Sequence, residues 1–348
     1  MKKLLLIIGI VLFALVIWFY LDTETAVTKD NFTLSDTIER ILNPEPKELK
    51  ILAVGDMMLG RFVETLMNRS GENYPFTYMS EFLSNQDVVL GNLEGPILTN
   101  HKKTPDFTTN FSFQPKVAEL LRTGGFTHLS IANNHTFDKG ESAFTETQKY
   151  LTDAGIVPFG HPREASSLYV KAEKINDIGI VWIGLNEAVS KYFDLKDALT
   201  LVIEMQKLYS DYQIIVNIHW GTEYKNTSND FQKKIAHDLI DNGADLIIGH
   251  HPHTVQEIEN YNGKLIIYSL GNFIFDQYFS RDTQEGLAVN LTISKDGLQT
   301  TELIGVTIDK SRPKRMTVER EAEFMTELAN RSLTFTPETI ESKQINFQ

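Results

Sequence analysis

The feature that most constrains the fold of this chain is a repeated pattern in which an apolar, strand-like run ends in a polar motif. In the clearest case, residues 245–249 (DLIIG) lead directly into three histidines within four positions. Five of the nine histidines lie in motifs of this kind: His135, His219, His250, His251 and His253. Imidazole is a common metal ligand, and residues two apart at a strand end can point at one centre. The pattern therefore predicts one polar, metal-holding site at the carboxyl edge of a sheet.

Strand-like and helix-like segments alternate along most of the chain. Strands are predicted at 50–55, 86–91, 126–131, 156–159, 168–175, 178–185, 212–218, 245–248, 264–269, 287–293 and 300–306. Helices are predicted at 60–68, 115–123, 141–154, 195–210 and 230–242. This alternation predicts an α/β fold with helices on the sheet faces, and open α/β sheets bind ligands just beyond their strand ends. Residues 49–307 are predicted to form one domain, followed by a loosely attached polar C-terminal tail at 308–348.

The N-terminus predicts a membrane anchor. Lys2 and Lys3 precede the uncharged stretch 4–20, which is near the lower limit of ~17–25 residues for a spanning helix. It is longer than the ~7–15 apolar residues of a cleaved signal, and no convincing cleavage site follows it. We therefore expect residues 1–21 to be a transmembrane signal anchor, with a cleaved signal peptide as the alternative. The lysines place the protein as single-pass in the cell membrane with its C-terminal domain extracellular, beyond a stalk at residues 22–48.

Composition narrows the partners. The net charge of −13 argues against nucleic acid or an anionic membrane surface as the main partner, because both would be repelled. An anionic substrate stays compatible with this charge, since bound cations reverse the local field. The chain has no cysteine, so a metal site must use nitrogen and oxygen ligands.

Two carboxylates follow the first two predicted strands. Asp56 comes directly after the run 50–55 and could ligate a cation, although an aspartate in that place is often a helix N-cap. Glu94 follows the run 86–91, where turn chemistry ahead of Gly95 is the alternative. In the motif at 133–135, an amide oxygen of Asn134 could bind a metal. Asn133 is expected to be structural.

The histidine motifs complete the candidate site. His135 is the candidate acid or base. His219 could instead be a satisfied core histidine. His251 and His253 carry the strongest signal, because buried imidazoles each need a polar partner. The candidate ligands are Asp56, Glu94, Asn134, His219, His251 and His253, and the residues expected around them or against the substrate are Asn92, Asn133, Glu223, His250 and Asn272. A mixed nitrogen and oxygen set suits a divalent metal such as Mn, Fe or Zn, as one or two ions.

Six motifs resemble those of a known family. They are residues 55–61 (GDMMLGR), 91–96 (GNLEGP), 132–140 (ANNHTFDKG), 219–223 (HWGTE), 249–253 (GHHPH) and 268–273 (YSLGNF). In this order, across residues 49–307, they resemble the CapA (PgsA) family of capsule and poly-γ-glutamate biosynthesis proteins. That family is similar to calcineurin-like metallophosphoesterases, which implies a four-layer α/β/β/α sandwich. Relative to the wider superfamily, Met58 stands where a histidine is expected and Asn92 where an aspartate is expected, which removes donors from one metal position.

The resemblance implies a membrane-anchored, extracytoplasmic protein of capsule or poly-γ-glutamate biosynthesis with a metallophosphoesterase-like metal site. Its expected partners are an anionic polymer such as polyglutamate or a phosphoester substrate, and other membrane proteins of capsule synthesis. Two alternatives remain: a metal-dependent phosphoester or amide hydrolase not tied to capsule, and a non-catalytic scaffold for polymer binding or export. Catalysis would use His135 to protonate the leaving group. Polymer binding would draw on Arg61, Lys102 and Lys103.

Overall fold

The computed structural model describes residues 47–347. The expected anchor at residues 1–21 and nearly all of the expected stalk at 22–48 lie outside the described residues. Within residues 47–347, no helix combines the length and apolar character needed to cross a membrane.

The described residues form two sheets and a set of flanking helices. In chain order the strands are β1 (Leu49–Met57), β2 (Val88–Leu93), β3 (His128–Ser130), β4 (Val157–Phe159), β5 (Lys171–Ile175), β6 (Ile178–Asn186), β7 (Gln213–His219), β8 (Leu246–His250), β9 (Ile258–Tyr261), β10 (Lys264–Ile267), β11 (Asn272–Ile274), β12 (Glu285–Ser294), β13 (Gly297–Asp309), β14 (Arg312–Arg315) and β15 (Gln344–Asn346). The α-helices are α1 (Arg61–Ser70), α2 (Val117–Thr123), α3 (Glu141–Asp153), α4 (Leu195–Leu208), α5 (Asp230–Asp241), α6 (Val318–Ala329) and α7 (Pro337–Glu341).

Both sheets have a parallel part, and this brings polar strand ends together. The first sheet runs β14-β13-β12-β1-β2-β3-β4, with β11 beside β1 and β15 beside β13. Its strands β1 to β4 are parallel to one another. The second sheet runs β5-β6-β7-β8-β10-β9, and its inner strands β6, β7, β8 and β10 are parallel. The polar motifs after β1, β2, β7 and β8 therefore lie at the carboxyl ends of parallel strands, as expected for a ligand site.

Alternation of side chains along the strands creates three apolar layers between four structural layers. On β1, Leu52 packs toward the helices α1 to α3, whereas Ile51 packs toward the second sheet. On β6, Trp182 joins that inter-sheet core, and Ile183 packs toward α4 and α5. Successive strand residues point to opposite faces, so each strand serves two cores. The four-layer α/β/β/α sandwich expected for this chain is confirmed.

The C-terminal segment differs from its prediction. Residues 308–347 are not a loose tail, because they carry the end of β13 together with β14, α6, α7 and β15. Helix α6 buries Phe324, Met325, Leu328 and Ala329 against the inter-sheet core. The predicted domain boundary at residue 307 is therefore wrong. This apolar stripe escaped notice because five charged residues share the same helix and dominate its average polarity.

Candidate metal centre

The candidate site lies where the carboxyl ends of the two parallel regions meet. Asp56 near the end of β1 is in register with Asn92 on β2 and with Asn272 on β11. His219 at the end of β7 is in register with His250 at the end of β8. The backbone N–H of His251 donates to Asp56 Oδ2 across the gap between the sheets at 3.1 Å. The structure thus joins motifs that are as far apart as residues 56 and 251.

Two groups of potential ligands lie side by side. Asp56, Glu94 and His219 offer ligand atoms within 4.8 Å of one another, and so do Glu223, His251 and His253. The two groups are adjacent, because His219 Nε2 of the first lies 3.1 Å from His251 Nδ1 of the second. Asn134 Oδ1 lies 2.9 Å from that same His219 nitrogen. The six predicted ligands therefore converge, and Glu223, which was expected only around them, presents its carboxylate at ligand distance.

Glu94 provides the test of whether a cation fits this site. Its side chain is fully buried, and among residues 47–347 neither carboxylate oxygen has a hydrogen-bond partner. The nearest cationic candidates are Nε2 of His135 and Nε2 of His253, each 3.7 Å from Glu94 Oε1. Burial, followed by the negative charges of Asp56 and Glu223, raises the pKa of Glu94 well above its ordinary value. A buried carboxylate without partners is costly, and a divalent cation among these ligands would remove that cost, so the donor set fits a metal.

The histidines have the protonation state that a metal requires. Burial lowers the pKa of His219 well below its usual value and lowers the pKa of His251 and of His253 to about 4. Burial alone would raise the pKa of Asp56, but contact with His250 and the charges of neighbouring histidines hold it below the ordinary value. At neutral pH the site thus holds neutral imidazoles with free lone pairs beside an ionised aspartate.

The turn that carries the last two histidines is held in an unusual backbone conformation. His251 has φ of 97° and His253 has φ of 57°, in a region that side-chain-bearing residues rarely adopt. Before the turn, Gly249 leaves no room for a side chain, because a Cβ there would lie 1.9 Å from the carbonyl oxygen of Tyr268. Strain of this kind persists only where the surrounding structure enforces it. The imidazole positions are therefore fixed by the fold.

Three asparagines orient the ligands. Asn92 donates from Nδ2 to Asp56 Oδ1 at 2.8 Å, and its own amide oxygen accepts from Asn133 Nδ2 at 3.0 Å. Asn133 also accepts the backbone N–H of His135 at 3.1 Å, which sets the turn that follows β3. Asn272 places its amide oxygen 3.0 Å from His253 Nδ1. These contacts hold Asp56, His135 and His253 in place, so Asn92 acts as a donor to a ligand where an acidic ligand was expected.

His135 lies at the edge of the centre, and its contacts define where each of its two ring nitrogens points. Nδ1 lies 2.9 Å from Asp138 Oδ2, which leaves Nε2 facing Glu94. Its ring stacks on Phe111 with the centroids 4.0 Å apart. Neither Asp138 nor Phe111 was predicted from the sequence to contact His135. Asp138 lies within the same nine-residue motif and could have been noticed, whereas Phe111 carries no sequence signal.

The three predicted basic residues do not form an open groove. Arg61 donates from Nε to Asp276 at 3.2 Å, and its guanidinium lies between the rings of Phe111 and Phe275 at 4.9 and 5.5 Å. Lys103 pairs with Asp106 at 2.7 Å. Lys102 is exposed, so only Arg61 belongs to the surroundings of the metal centre.

The fold and the site define a class of protein. It is an α/β/β/α sandwich with a candidate metal centre at the carboxyl ends of its strands, as expected for a metallophosphoesterase-like architecture. Residues 50–277 match the family described as bacterial capsule synthesis protein PGA_cap. The chain belongs to this family, and the resemblance to CapA proteins is confirmed.

Individual relatives agree with this assignment. The chain is 30% identical to the capsule biosynthesis protein CapA of Bacillus anthracis, over 81% of this chain and 73% of that protein. It is 32% identical to the PGA biosynthesis protein CapA of Bacillus subtilis (strain 168), over 75% and 72%. It is also 25% identical to a probable polyglutamine synthesis accessory protein of Mycobacterium tuberculosis, over 66% and 75%.

Solved structures show more distant likenesses. TT1561 of Thermus thermophilus has a TM-score of 0.41 and 11% identity, over 71% of this chain and 99% of that chain. The purple acid phosphatase PPD1 from yellow lupin seeds has a TM-score of 0.34 and 8% identity, over 78% and 53%. Nothing about activity follows from likenesses at this level.

Proposed function

We propose that this chain is a membrane-anchored, extracytoplasmic protein of capsule or poly-γ-glutamate biosynthesis whose metal centre hydrolyses a phosphoester or amide bond. Family membership supports the place in polymer synthesis. The lysine-flanked apolar stretch at residues 4–20 supports an anchor at 1–21, with the domain outside the cell. Membrane proteins of the same synthesis are its proposed partners.

The observation that carries the hydrolytic part is the buried carboxylate of Glu94, which lies beside the candidate ligands and has no hydrogen-bond partner among the described residues. A bound cation explains a buried carboxylate without a partner, and metal-dependent hydrolysis requires such a cation. One or two Mn, Fe or Zn ions would be held by the following residues: Asp56, Glu94, Asn134, His219, His251 and His253, with Glu223 beside the second group. When bound, such an ion supplies Lewis-acid chemistry to a phosphoryl or amide group.

The chain's own residues supply proton transfer and orientation. His135 presents Nε2 toward the centre, because Asp138 holds Nδ1. From that nitrogen it donates a proton to the leaving oxygen or nitrogen, and the Asp138 carboxylate stabilises the protonated ring before donation. Phe111 covers one face of the ring and excludes water from it.

The activity test uses the full chain reconstituted in lipid nanodiscs, stripped of metal and reloaded with Mn, Fe or Zn. We expect metal-dependent cleavage of a generic phosphoester or of a γ-glutamyl oligomer. His251→Ala with His253→Ala should remove both metal retention and turnover. His135→Gln should keep the metal and lower turnover by about 10²–10⁴-fold. His237→Ala, on α5 and outside the centre, is the matched control. Turnover that survives the double substitution would contradict the assignment, and metal retention without any turnover would favour the scaffold alternative.

The absence of cysteine gives a direct test of orientation. Leu333 is 87% exposed, so Leu333→Cys should react with a membrane-impermeant maleimide in intact cells. Lys3→Cys should react only after lysis. The reverse labelling pattern would place the domain on the cytoplasmic side and rule out the proposed location.

A further inference from the structure

We propose that an aromatic cleft beside the metal centre binds the apolar chain of an amphipathic phosphoester, whose phosphoryl group lies at the metal centre. This inference rests on the proposed function and narrows its substrate from a phosphoester or amide to a phosphoester that carries an apolar chain.

The cleft has a volume of about 550 Å³, within the ~300–1,000 Å³ range of small-molecule sites. Five aromatic side chains line it: Phe62, Phe107, Tyr224, Tyr278 and Phe279. Two of them are strongly exposed, with Phe107 98% and Phe279 66% accessible. Exposed aromatic faces that surround one cleft mark a surface suited to an apolar ligand.

The cleft lies directly beside the metal centre. The Tyr224 ring forms part of the cleft wall and also stacks on His253, with centroids 6.0 Å apart. Gln277, a second wall residue, accepts a hydrogen bond at 3.0 Å from Asn272, and Asn272 contacts His253. The cleft and the histidine turn therefore share a wall, so a chain bound in the cleft would place its phosphoryl group next to the metal centre.

The polar groups of the cleft are already paired within the protein. Asp276 accepts from Arg61 and from the backbone N–H of Phe62, the latter at 3.0 Å. Asp106 accepts from Lys103 at 2.7 Å and from Thr65 at 3.3 Å. The remaining wall contacts pair Gln277 with Tyr224 and Tyr278 with Ser311. A sugar or a polyglutamate segment would displace these bonds or leave its own polar groups unpaired, whereas an apolar chain needs neither.

Arg61 still offers N–H donors to a ligand, and these donors match a single anionic group. Arg61 has five N–H donors, of which three are used, by two contacts to Asp276 and one to the Thr108 carbonyl. Within the part of the chain that the structure describes, the other two donors have no partner and can serve a phosphoryl oxygen. Arginine in a fixed, aromatic-flanked position is suited to such planar recognition.

The test measures binding rather than turnover. The full chain in lipid nanodiscs is titrated with alkyl phosphonates from methyl to hexyl, with empty nanodiscs subtracted. These compounds carry one anionic group and are not hydrolysed, so the result stands even if the protein proves inactive. We expect affinity to rise about two- to fourfold per methylene, the upper value corresponding to full burial at ~0.8 kcal/mol.

Two variants make the test specific. Phe107→Ser with Phe279→Ser removes exposed wall residues without touching the core and should flatten the chain-length dependence. Phe231→Ser, at a 47% exposed position on α5, is the matched control and should keep it. A flat series in the unaltered chain, or a dependence that survives the double substitution, would overturn the proposal. Tighter binding of a γ-glutamyl oligomer than of hexyl phosphonate would overturn it as well.

Discussion

At the scale of single residues, Glu94 is the group whose state depends most directly on a cation. Its carboxylate is buried and unpartnered, so we expect Glu94→Gln to stabilise the metal-free protein by about 1–3 kcal/mol. In the metal-loaded protein the same substitution removes a ligand, so the order of stability should reverse. Urea unfolding of both proteins, with and without chelator, measures this. The same order in both conditions would mean that Glu94 does not bind metal.

Two histidines give the metal-free protein a pH dependence. Burial lowers the pKa of His251 and of His253 from the usual 6.5 to about 4. Between these values the unfolded chain binds protons that the folded protein does not, so stability is lost as the pH falls. The raised pKa of Glu94 has the opposite effect on stability. The folded protein binds a proton at Glu94 more readily than the unfolded chain does, so this contribution to stability grows as the pH falls.

The test therefore compares proteins that both keep Glu94. Between about pH 7 and about pH 5, the metal-free His251→Gln, His253→Gln variant should lose less unfolding free energy than the unaltered chain. Urea titrations at the two pH values measure the difference. An equal loss in both proteins would show that these imidazoles are not held neutral by burial.

The convergence of the candidate site residues followed from the sequence better than their contacts did. Asp56, His219 and the histidine turn each follow a predicted strand, so their convergence followed from parallel strands sharing an edge. Roles depend on which atoms face each other. The donation from Asn92 to Asp56 depends on the register of β1 with β2, and the closeness of Glu223 to His253 depends on the paths of the loops after β7 and β8. No local sequence pattern encodes either.

At the scale of elements, the segment 98–113 contacts both the metal centre and the aromatic cleft although it contains no helix or strand. His101 fastens it, with Nε2 3.1 Å from Glu64 on α1 and Nδ1 3.1 Å from Ser112. The same segment carries Phe111, which stacks on His135, and Phe107, which lines the cleft. The contacts of His101 therefore affect the surroundings of both His135 and the aromatic cleft.

Replacing His101 should loosen the segment 98–113. His101→Ala leaves the buried Glu64 carboxylate without its partner and should cost about 1–3 kcal/mol. We expect faster chymotrypsin cleavage at Phe107 and lower turnover, with the metal content unchanged. Lys102→Ala, at the neighbouring exposed position, is the control and should behave like the unaltered chain. Unchanged cleavage in His101→Ala would show that other contacts hold the segment.

Element prediction found the long periodic segments and missed two short strands. Every predicted strand and helix between residues 49 and 307 is present in the structure, whereas β9 and β11 were not predicted. These strands have four and three residues, too few to show a period. Strand β9 could have been found, because the Asn262-Gly263 turn before β10 is a typical hairpin signal.

At the scale of the whole molecule, the C-terminal helix α6 completes the inter-sheet core. Leu328 is fully buried there, so Leu328→Ala should lower the unfolding free energy by about 2–5 kcal/mol. Leu333→Ala, only five positions away and 87% exposed, should have almost no effect. Thermal and urea unfolding of the two variants measure the contrast. Equal behaviour would mean that the segment after residue 307 is dispensable for the fold.

The left-handed turn at His251 and His253 has a consequence for the way the protein responds to losing its ion. The folded backbone sets the positions of the two imidazole rings, because the strained turn and the close packing at Gly249 restrict the path of the chain. On the proposed function, a metal ion would therefore bind to ligands that are already in position, and its removal would leave them there. We expect a chelator to stop turnover without unfolding the protein, and added metal to restore it.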